Sequence, residues 1–154
     1  TQGVSSAASD VYKRQLYGDA VGGFAPIKDI YKTDVWALSR YRNALALERG
    51  ETPPIPERSI TKEPSAELRP DQKDSDSLPD YPLLDQVLRA YVDEDHGYEA
   101  LLAEGFDADL VRRVISLVDK AEYKRRQYPP GTKVSARAFG KDRRLPMTSR
   151  WNER

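Results

Sequence analysis

The residues of this chain that are best suited to chemistry are cations at predicted helix ends and in a basic tail. Lys32 opens the first predicted helix, and Lys124 lies at the basic end of the last one. Lysine binds anions as a compact point charge, whereas arginine pairs phosphate oxygens in bidentate fashion. These residue types indicate an anionic ligand. The arginines in the tail that are available for such pairing are Arg137, Arg143 and Arg144.

Charge is distributed unevenly along the 154 residues, although the net charge is zero. Residues 120–154 contain 11 Lys and Arg against 3 Asp and Glu, so the preceding part of the chain is acidic. A basic tail on an acidic body indicates an anionic ligand, an acidic partner surface or nucleic acid. The alternative is that the tail folds back on the acidic face of its own chain.

Composition excludes several kinds of site. The chain has no cysteine, which excludes disulfides and thiolate chemistry and fits a reducing cytosol. His96 is the single histidine, which excludes a His-rich metal site, and we expect no metal ligands in this chain. No run of about 18 apolar residues is present, which excludes a transmembrane helix. We therefore expect a cytoplasmic protein without a membrane partner.

Apolar periodicity predicts a largely helical chain. In the first predicted helix, one face carries Val35, Leu38, Arg42, Leu45 and Ala46, and Gly50 ends the helix. The predicted helices cover residues 32–49, 84–92, 98–104 and 107–127. Gly105 ends the third, and Asp107 caps the last.

The remaining stretches lack such a period. Residues 16–26 form a turn-rich loop, and residues 51–82 form a long loop rich in Pro, Asp, Ser and Glu. Residues after 128 form a basic, irregular tail, and the sequence contains no clear strand or repeat. The pattern therefore predicts an α-helical fragment with long loops, of the kind that forms one flank of a larger α/β domain.

Three blocks of residues occur in a fixed order. They are LYGDAVGGFAPIKDIYKTDVWALSRYRN at 16–43, IPERSITKEPSAELRPDQKDSDSLPDY at 55–81 and AEYKRRQYPPGTKVSARAFGKDRRLPMTSRW at 121–151. In order and spacing they resemble the two-domain, glutamine-dependent NAD synthetases of bacteria. The resemblance implies a synthetase domain of the Rossmann-like, α/β adenine-nucleotide α-hydrolase type. Residues 16–154 would be the C-terminal portion of that domain, and residues 1–15 a non-native or disordered leader.

The resemblance also implies an activity, the ATP-dependent amidation of deamido-NAD to NAD. ATP with Mg²⁺ would adenylate the deamido-NAD carboxylate and release pyrophosphate, and ammonia from a glutaminase domain would then displace AMP. A homo-oligomer is expected. The family's Ser-Gly-Gly-x-Asp-Ser phosphate loop, magnesium-binding glutamate and glutaminase triad fall upstream of Leu16. We therefore expect this chain alone to be inactive, without catalytic residues or Mg²⁺ ligands of its own.

Three residues match binding positions of the family. Lys32 matches the lysine that contacts ATP phosphate, and Lys124 matches the lysine that binds deamido-NAD. Ser65 matches an ATP-contacting position that is threonine in the ammonia-dependent relatives. Without the resemblance, Lys32 would be a solvated first-turn lysine, Ser65 a turn-forming serine, and Lys124 a cation complementing a helix dipole.

Supporting roles are expected for Asp19 and for three arginines of the tail. Asp19 lies beside the deamido-NAD contact region, although such a carboxylate more often stabilises a turn. Gly23 stands where the ammonia-dependent relatives place a substrate-binding aspartate, which favours the glutamine-dependent subgroup. The residues that would close over substrate phosphates are Arg137, Arg143 and Arg144.

A second function remains open on sequence alone, a helical module that binds nucleic acid or dimerises. Aromatic residues alternate with the cations of the tail, as in many nucleic-acid-binding segments. Overall neutrality argues against a dedicated nucleic-acid domain. The aromatic residues concerned are Tyr123, Tyr128, Phe139 and Trp151.

Overall fold

A computed structural model of the chain describes residues 24–65, 70–71, 73–76, 78–126, 128–138, 141–146 and 148. These residues form helices and no strand, which agrees with the helical prediction. The predicted leader at 1–15 lies outside the described residues. The helices are α1 Lys32–Glu48, α2 Glu57–Thr61, α3 Tyr81–Leu88, α4 Tyr98–Ala103, α5 Ala108–Lys120 and α6 Glu122–Arg126.

The chain divides into two compact units. One unit is Ile30–Asp85, and the other combines Thr1–Asp29 with Gln86–Arg154. No helix among the described residues has both the length and the hydropathy needed to cross a membrane.

Helix α1 dominates the unit Ile30–Asp85. Gly50 follows the helix at φ +71°, a left-handed conformation that glycine adopts without steric cost, so the predicted helix end is confirmed. The predicted inward face is only partly buried, because Ala46 is fully covered while Leu38 is 51% exposed. The periodicity identified the helix correctly, but it overestimated how much of the apolar face this unit covers.

The predicted long loop at 51–82 is wrong in part, because short helical segments interrupt it. Helix α2 buries Ile60, and a 3₁₀ turn spans Asp74–Asp76. Asn43 on α1 binds both the backbone N–H and the carbonyl of Ile55, at 3.0 and 2.8 Å, which anchors the chain after α1. A five-residue helix is too short to show a period, so a sequence pattern cannot reveal it.

The predicted helix at 84–92 changes its winding before it ends. Helix α3 stops at Leu88 and continues as a π-helical segment over Arg89–Asp93. The N–H of Glu94 donates to the carbonyl of Arg89 at 3.2 Å, which is the wider spacing of a π turn. Tyr91 and Val92 are still buried. An apolar period of 3.6 gives no signal for this extra residue per turn.

Helices α4 and α5 pack together to form the core of the second unit. Asp107 caps α5 as predicted, accepting hydrogen bonds from the N–H groups of Asp109 and Leu110. Gly105 at φ +92° ends the preceding α4 turn. The predicted apolar face of α5 is buried at Val111, Val114, Ile115 and Val118.

Helix α5 is shorter than the predicted span of 107–127. It ends at Lys120, and the chain turns at Ala121 before α6 begins at Glu122. Glu122 is only 4% exposed, because its carboxylate is held by two arginines of the following turn. The described part of the tail after α6 contains neither helix nor strand, so its irregular structure is confirmed.

Candidate functional site

Lys32 is the first residue of α1, and its helix start is fixed by a carboxylate. Asp85, buried at 4% exposure, accepts hydrogen bonds from the backbone N–H and the hydroxyl of Thr33, both at 2.8 Å. The N-cap residue Tyr31 makes no side-chain capping bond, so Asp85 supplies the acceptor that the N-terminus needs. Lys32 Nζ lies 5.6 Å from the centroid of the Trp36 ring, within cation–π range.

Trp36 packs against Tyr81, the first residue of α3. Its ring meets the Tyr81 ring edge-on, with centroids 5.8 Å apart. The Tyr81 hydroxyl donates to Asp74 at 2.6 Å, and burial together with this carboxylate raises the pKa of Tyr81 above its ordinary value. Lys32 therefore contacts a ring, that of Trp36, which packs against Tyr81, and Tyr81 is in turn held by Asp74.

Ser65 is half-buried in a segment that two hydrogen bonds connect to the 3₁₀ turn. The Asp74 N–H donates to the Pro64 carbonyl at 3.0 Å, and Ser75 Oγ donates to Glu63 at 2.5 Å. Hydrogen bonds from Lys73 and Ser75 hold the pKa of the Glu63 carboxyl below its ordinary value. The two residues before Ser65 are thus tied to the 3₁₀ turn.

Lys124 is exposed on α6, with Nζ 5.9 Å from the Tyr123 ring centroid. Glu122 fixes this short helix, because its carboxylate accepts from Arg125 at 2.7 Å and from Arg126 at 2.8 Å. Burial opposes ionisation of Glu122, but these two guanidinium groups hold the pKa of the carboxyl below its ordinary value. The two arginines of α6 are therefore paired with Glu122, whereas Lys124 is exposed to solvent.

The tail is attached to α6 and α5 by polar contacts. Arg126 donates to the Leu145 carbonyl at 2.7 Å. Arg143 donates to Asp119 at 3.1 Å, and its guanidinium carbon lies 4.2 Å from the Tyr91 ring centroid. The Tyr91 hydroxyl donates to the same Asp119 oxygen at 3.0 Å. Arg143 is therefore a largely covered structural cation in this structure.

The other two arginines that were expected at substrate phosphates, Arg137 and Arg144, differ in exposure and partners. Arg137 pairs with Asp95 at 2.7 Å, while exposed Arg144 donates to the Lys141 carbonyl at 3.1 Å. Together with Arg143–Asp119, the Arg137–Asp95 pair supports the interpretation that the tail folds back on acidic residues of its own chain.

A second attachment joins the start of the tail to the loop before α1. Asp29 accepts hydrogen bonds from the N–H groups of Val134 and Ser135, at 2.8 and 2.9 Å. The Ala25 N–H donates to the Pro130 carbonyl at 2.8 Å. A Cβ on Gly131 would lie 2.1 Å from the Ala25 carbonyl oxygen, so only glycine permits this approach.

The predicted binding residues fall into two sets. Lys32 and Ser65 belong to the unit Ile30–Asp85. Asp19 lies outside the described residues. The other four predicted residues belong to the unit that contains Gln86–Arg154, and they are Lys124, Arg137, Arg143 and Arg144.

Sequence reasoning missed the buried carboxylates that position these residues. Asp119 follows Val111 and Ile115 at intervals of four, and Glu122 follows Val118 by four. A carboxylate at the same four-residue spacing as the buried apolar residues of a helix is therefore a signal that the sequence contains. It predicts a buried ion pair, because a buried charge without a partner is strongly unfavourable.

One group of side chains in the described part of the chain has the composition of a metal site. Ligand atoms of Glu94, His96 and Glu104 all lie within 4.8 Å of one another. The sequence argument against a metal site considered only the number of histidines, and it overlooked the carboxylates on either side of this one.

Comparison with known proteins gives a consistent result. A family model described as NAD synthase matches residues 12–128. The glutamine-dependent NAD(+) synthetase of Acinetobacter baylyi is 57% identical over 136 residues, which is 88% of this chain and 24% of that protein. The same-named protein of Aquifex aeolicus is 50% identical over 136 residues, covering 88% of this chain and 23% of that protein.

A solved structure of glutamine-dependent NAD+ synthetase from Acinetobacter baumannii, in complex with adenosine diphosphate, is 46% identical in sequence. It matches 91% of this chain and 23% of that chain at a TM-score of 0.49. This chain spans about a quarter of the length of the curated relatives it matches. Because the family model extends over most of its residues, the chain belongs to the NAD synthase family.

Proposed function

We propose that this chain is the C-terminal part of the synthetase domain of a glutamine-dependent NAD(+) synthetase. The observation that carries the proposal is the 57% identity over 136 residues to the Acinetobacter baylyi enzyme of that name. The reaction belongs to the whole enzyme, since this chain spans about a quarter of its relatives. The parent domain would have the Rossmann-like α/β fold of the adenine-nucleotide α-hydrolases.

The proposed reaction has two steps. A carboxylate oxygen of deamido-NAD bonds to the α-phosphorus of ATP, and pyrophosphate leaves. Ammonia, released from glutamine, then bonds to the acyl carbon of the adenylate, and AMP leaves. Such a sequence requires that phosphates be neutralised and the reactants be held in line, and the residues described here would contribute to both.

Lys32 would bind a phosphate of ATP. Its position as the first residue of α1 supports the role, because backbone N–H groups and the helix dipole at an N-terminus favour anions. The cap from Asp85 and the contact with Trp36 restrict where its ammonium group can lie. Ser65 would add a hydroxyl contact to ATP from a restrained segment.

Lys124 would bind deamido-NAD, and its exposure on an anchored helix supports this role. Among the three arginines expected at substrate phosphates, exposed Arg144 is the best placed to bind one. Arg137 and Arg143 are engaged by carboxylates, so we propose that they hold the tail in place. A role for Asp19 stays a prediction, as do homo-oligomerisation and a cytoplasmic location.

Mg²⁺ would accompany ATP in the whole enzyme. Mg²⁺ prefers oxygen ligands in octahedral geometry, and the group of candidate metal ligands in the described residues includes the imidazole of His96. These residues therefore do not fit Mg²⁺, and its ligands would come from other parts of the enzyme.

The nucleic-acid alternative receives little support from the described part of the tail. Such a module needs unpaired cations on one face, but five of the basic residues described in α6 and the tail pair with carboxylates. The pairs are Arg125 and Arg126 with Glu122, Lys133 with Asp142, Arg137 with Asp95, and Arg143 with Asp119.

A chimera tests the proposed function. The matching segment of the Acinetobacter baylyi synthetase is replaced by residues 16–154, and NAD formation is measured from deamido-NAD, ATP and ammonium, which bypasses the glutaminase. We expect turnover within about tenfold of the parent enzyme. A folded chimera that forms no NAD would contradict the proposal. The parent enzyme carrying a scrambled segment serves as the negative control.

A further inference from the structure

Three side chains that could bind a metal ion, Glu94, His96 and Glu104, lie close together in the unit that contains Gln86–Arg154. The Nδ1 atom of His96 is 3.6 Å from a carboxylate oxygen of Glu94 and in direct contact with one of Glu104. All three ligand atoms lie within 4.8 Å of one another. The imidazole distinguishes this group from an ordinary acidic patch, because it adds a nitrogen donor favoured by transition ions.

The surrounding sequence gives this region a strong negative charge. Between Arg89 and Arg112 there are seven Asp and Glu residues and no Lys or Arg. Arg137 pairs with one of them, Asp95, at 2.7 Å, and Arg112 pairs with another, Asp109, at 3.0 Å. The excess of carboxylates in this stretch favours a cation over a neutral or anionic ligand.

The backbone brings the three side chains together. The π-helical segment Arg89–Asp93 ends at Glu94, and the N–H of His96 returns to the carbonyl of Ala90 at 3.0 Å. Asp95, between the two ligands, has φ +62°, a left-handed conformation that reverses the chain locally. Glu104 arrives from the end of α4.

We propose that Glu94, His96 and Glu104 bind one divalent transition-metal ion of the zinc class. Zinc accepts imidazole nitrogen and carboxylate oxygen at about 2.0–2.2 Å, and a tetrahedral arrangement at those lengths separates neighbouring ligand atoms by roughly 3.4 Å. The His96–Glu94 distance of 3.6 Å is close to that separation. Water would complete the coordination, since all three side chains are at least one-third exposed.

The Glu104 carboxylate must move away from the imidazole to admit the ion. Its side chain is 36% exposed, so a change of rotamer meets little resistance. The ion would replace the present His96–Glu104 contact by two metal–ligand bonds. Mg²⁺ and Ca²⁺ are expected to bind more weakly, because both prefer oxygen ligands throughout.

The single histidine makes a direct test simple. In the untagged 154-residue chain every imidazole proton signal belongs to His96. Addition of Zn²⁺ at pH 7 should shift both ring signals with one-to-one stoichiometry, and equimolar Mg²⁺ should leave them in place. Isothermal titration with Zn²⁺ gives the dissociation constant independently.

Matched variants locate the ligands. His96→Gln and Glu104→Gln should each weaken Zn²⁺ binding by about tenfold or more, since even the loss of a residue that only hydrogen-bonds to a metal ligand typically has that effect. Glu99→Gln removes the same charge from an exposed position of α4 outside the group, and it should change the affinity less than about threefold. Circular dichroism confirms that the exposed substitutions leave the helices intact.

Two results would overturn the proposal. One is the absence of a ring shift at millimolar Zn²⁺. The other is equal weakening by Glu99→Gln and Glu104→Gln, which would indicate diffuse binding to the acidic stretch. Neither result depends on NAD synthesis, so the metal site and the proposed function fail separately.

Discussion

Asp85 caps the helix that begins at Lys32 by accepting two hydrogen bonds from Thr33, each 2.8 Å long. The two partners are 52 residues apart, so this cap is a tertiary contact. It ties the start of α1 to α3 within the unit Ile30–Asp85 and satisfies a donor that Tyr31 leaves without a side-chain partner. A residue proposed to bind ATP phosphate thereby gains a fixed backbone.

Replacing this carboxylate should destabilise the unit. In Asp85→Ala the amide and hydroxyl of Thr33 lose their buried acceptor, which is expected to reduce the free energy of unfolding by about 2–3 kcal/mol. Urea unfolding followed by tryptophan fluorescence measures the change, since Trp36 lies one turn away. The control Glu48→Ala, at the exposed end of α1, should stay within about 0.5 kcal/mol. Equal stability of the two variants would disprove the capping role.

The cap also illustrates what the sequence could and could not predict. Local signals were sufficient for the helix ends at Gly50, Gly105 and Asp107, because backbone conformation and capping depend on near neighbours. Asp85 falls inside an apolar stretch, but nothing near it identifies Thr33 as its partner. Contacts between distant segments depend on the tertiary fold, which periodicity does not specify.

Gly131 should be intolerant of any side chain. In Gly131→Ala the new Cβ would meet the Ala25 carbonyl at 2.1 Å, so the tail must withdraw and lose the bonds at Asp29. We expect faster amide exchange at Val134 and Ser135, with a local destabilisation of about 1–3 kcal/mol. Hydrogen exchange detected by mass spectrometry reports it.

Thr132→Ala is the matched control for Gly131→Ala, because it alters an exposed neighbour without adding atoms near Ala25. Its exchange should equal that of the unmodified chain. If the amides of Val134 and Ser135 exchange as slowly in Gly131→Ala as in the unmodified chain, the tail is not attached to the loop in the manner described.

Acid should loosen the junction of α5, α6 and the tail through Glu122. Burial opposes its charge, yet Arg126 and Arg125 hold its pKa below the ordinary value of 4.5. A carboxylate with a lowered folded pKa contributes stability that is present above the unfolded pKa and is lost as pH falls through the folded one. We therefore expect stability to decrease below about pH 4.5.

The variant Glu122→Gln separates this residue from the other carboxylates. It should reduce stability at pH 7 by about 2–3 kcal/mol, because both arginines lose a buried counter-charge. Its unfolding free energy should then fall less steeply between pH 5 and 3 than that of the unmodified chain. Parallel curves for the two proteins would show that Glu122 does not titrate with folding. Glu99→Gln, an exposed change of the same kind, should follow the unmodified chain.

Arg143 and Asp119 should behave as a coupled pair. Arg143→Met keeps the apolar length of the side chain but leaves Asp119 buried with only Tyr91 as a donor, so we expect a loss of about 3 kcal/mol. Adding Asp119→Asn removes the buried charge and should recover part of that loss. Urea unfolding of the single and double variants measures the coupling, and additive effects would refute it. Arg144→Met, at an exposed arginine, is the control.

This pair shows why the binding residues were harder to predict than the helices. Arg137, Arg143 and Arg144 are equivalent cations in the sequence, and all three were expected at substrate phosphates. The structure distinguishes them by partners, with Asp119 and Asp95 occupying two of the three. Whether an arginine can bind a substrate phosphate depends on which carboxylates lie beside it in the folded chain. Sequence order alone does not reveal those carboxylates.

Lys124 offers the most direct test of a substrate role. In the active chimera, Lys124→Gln removes an exposed cation without disturbing Glu122, so folding should be preserved. If the ammonium group binds deamido-NAD, the KM for that substrate should rise about tenfold or more, while the KM for ATP changes little.

Lys120→Gln is the matched control for Lys124→Gln, because it removes the same charge from the exposed last residue of α5, four positions away. Steady-state kinetics with each substrate varied in turn separates the two variants. A common increase of KM in both would indicate a general electrostatic effect of the basic region. An unchanged KM in Lys124→Gln alone would assign this lysine to the helix C-terminus, where a cation is favourable without any substrate.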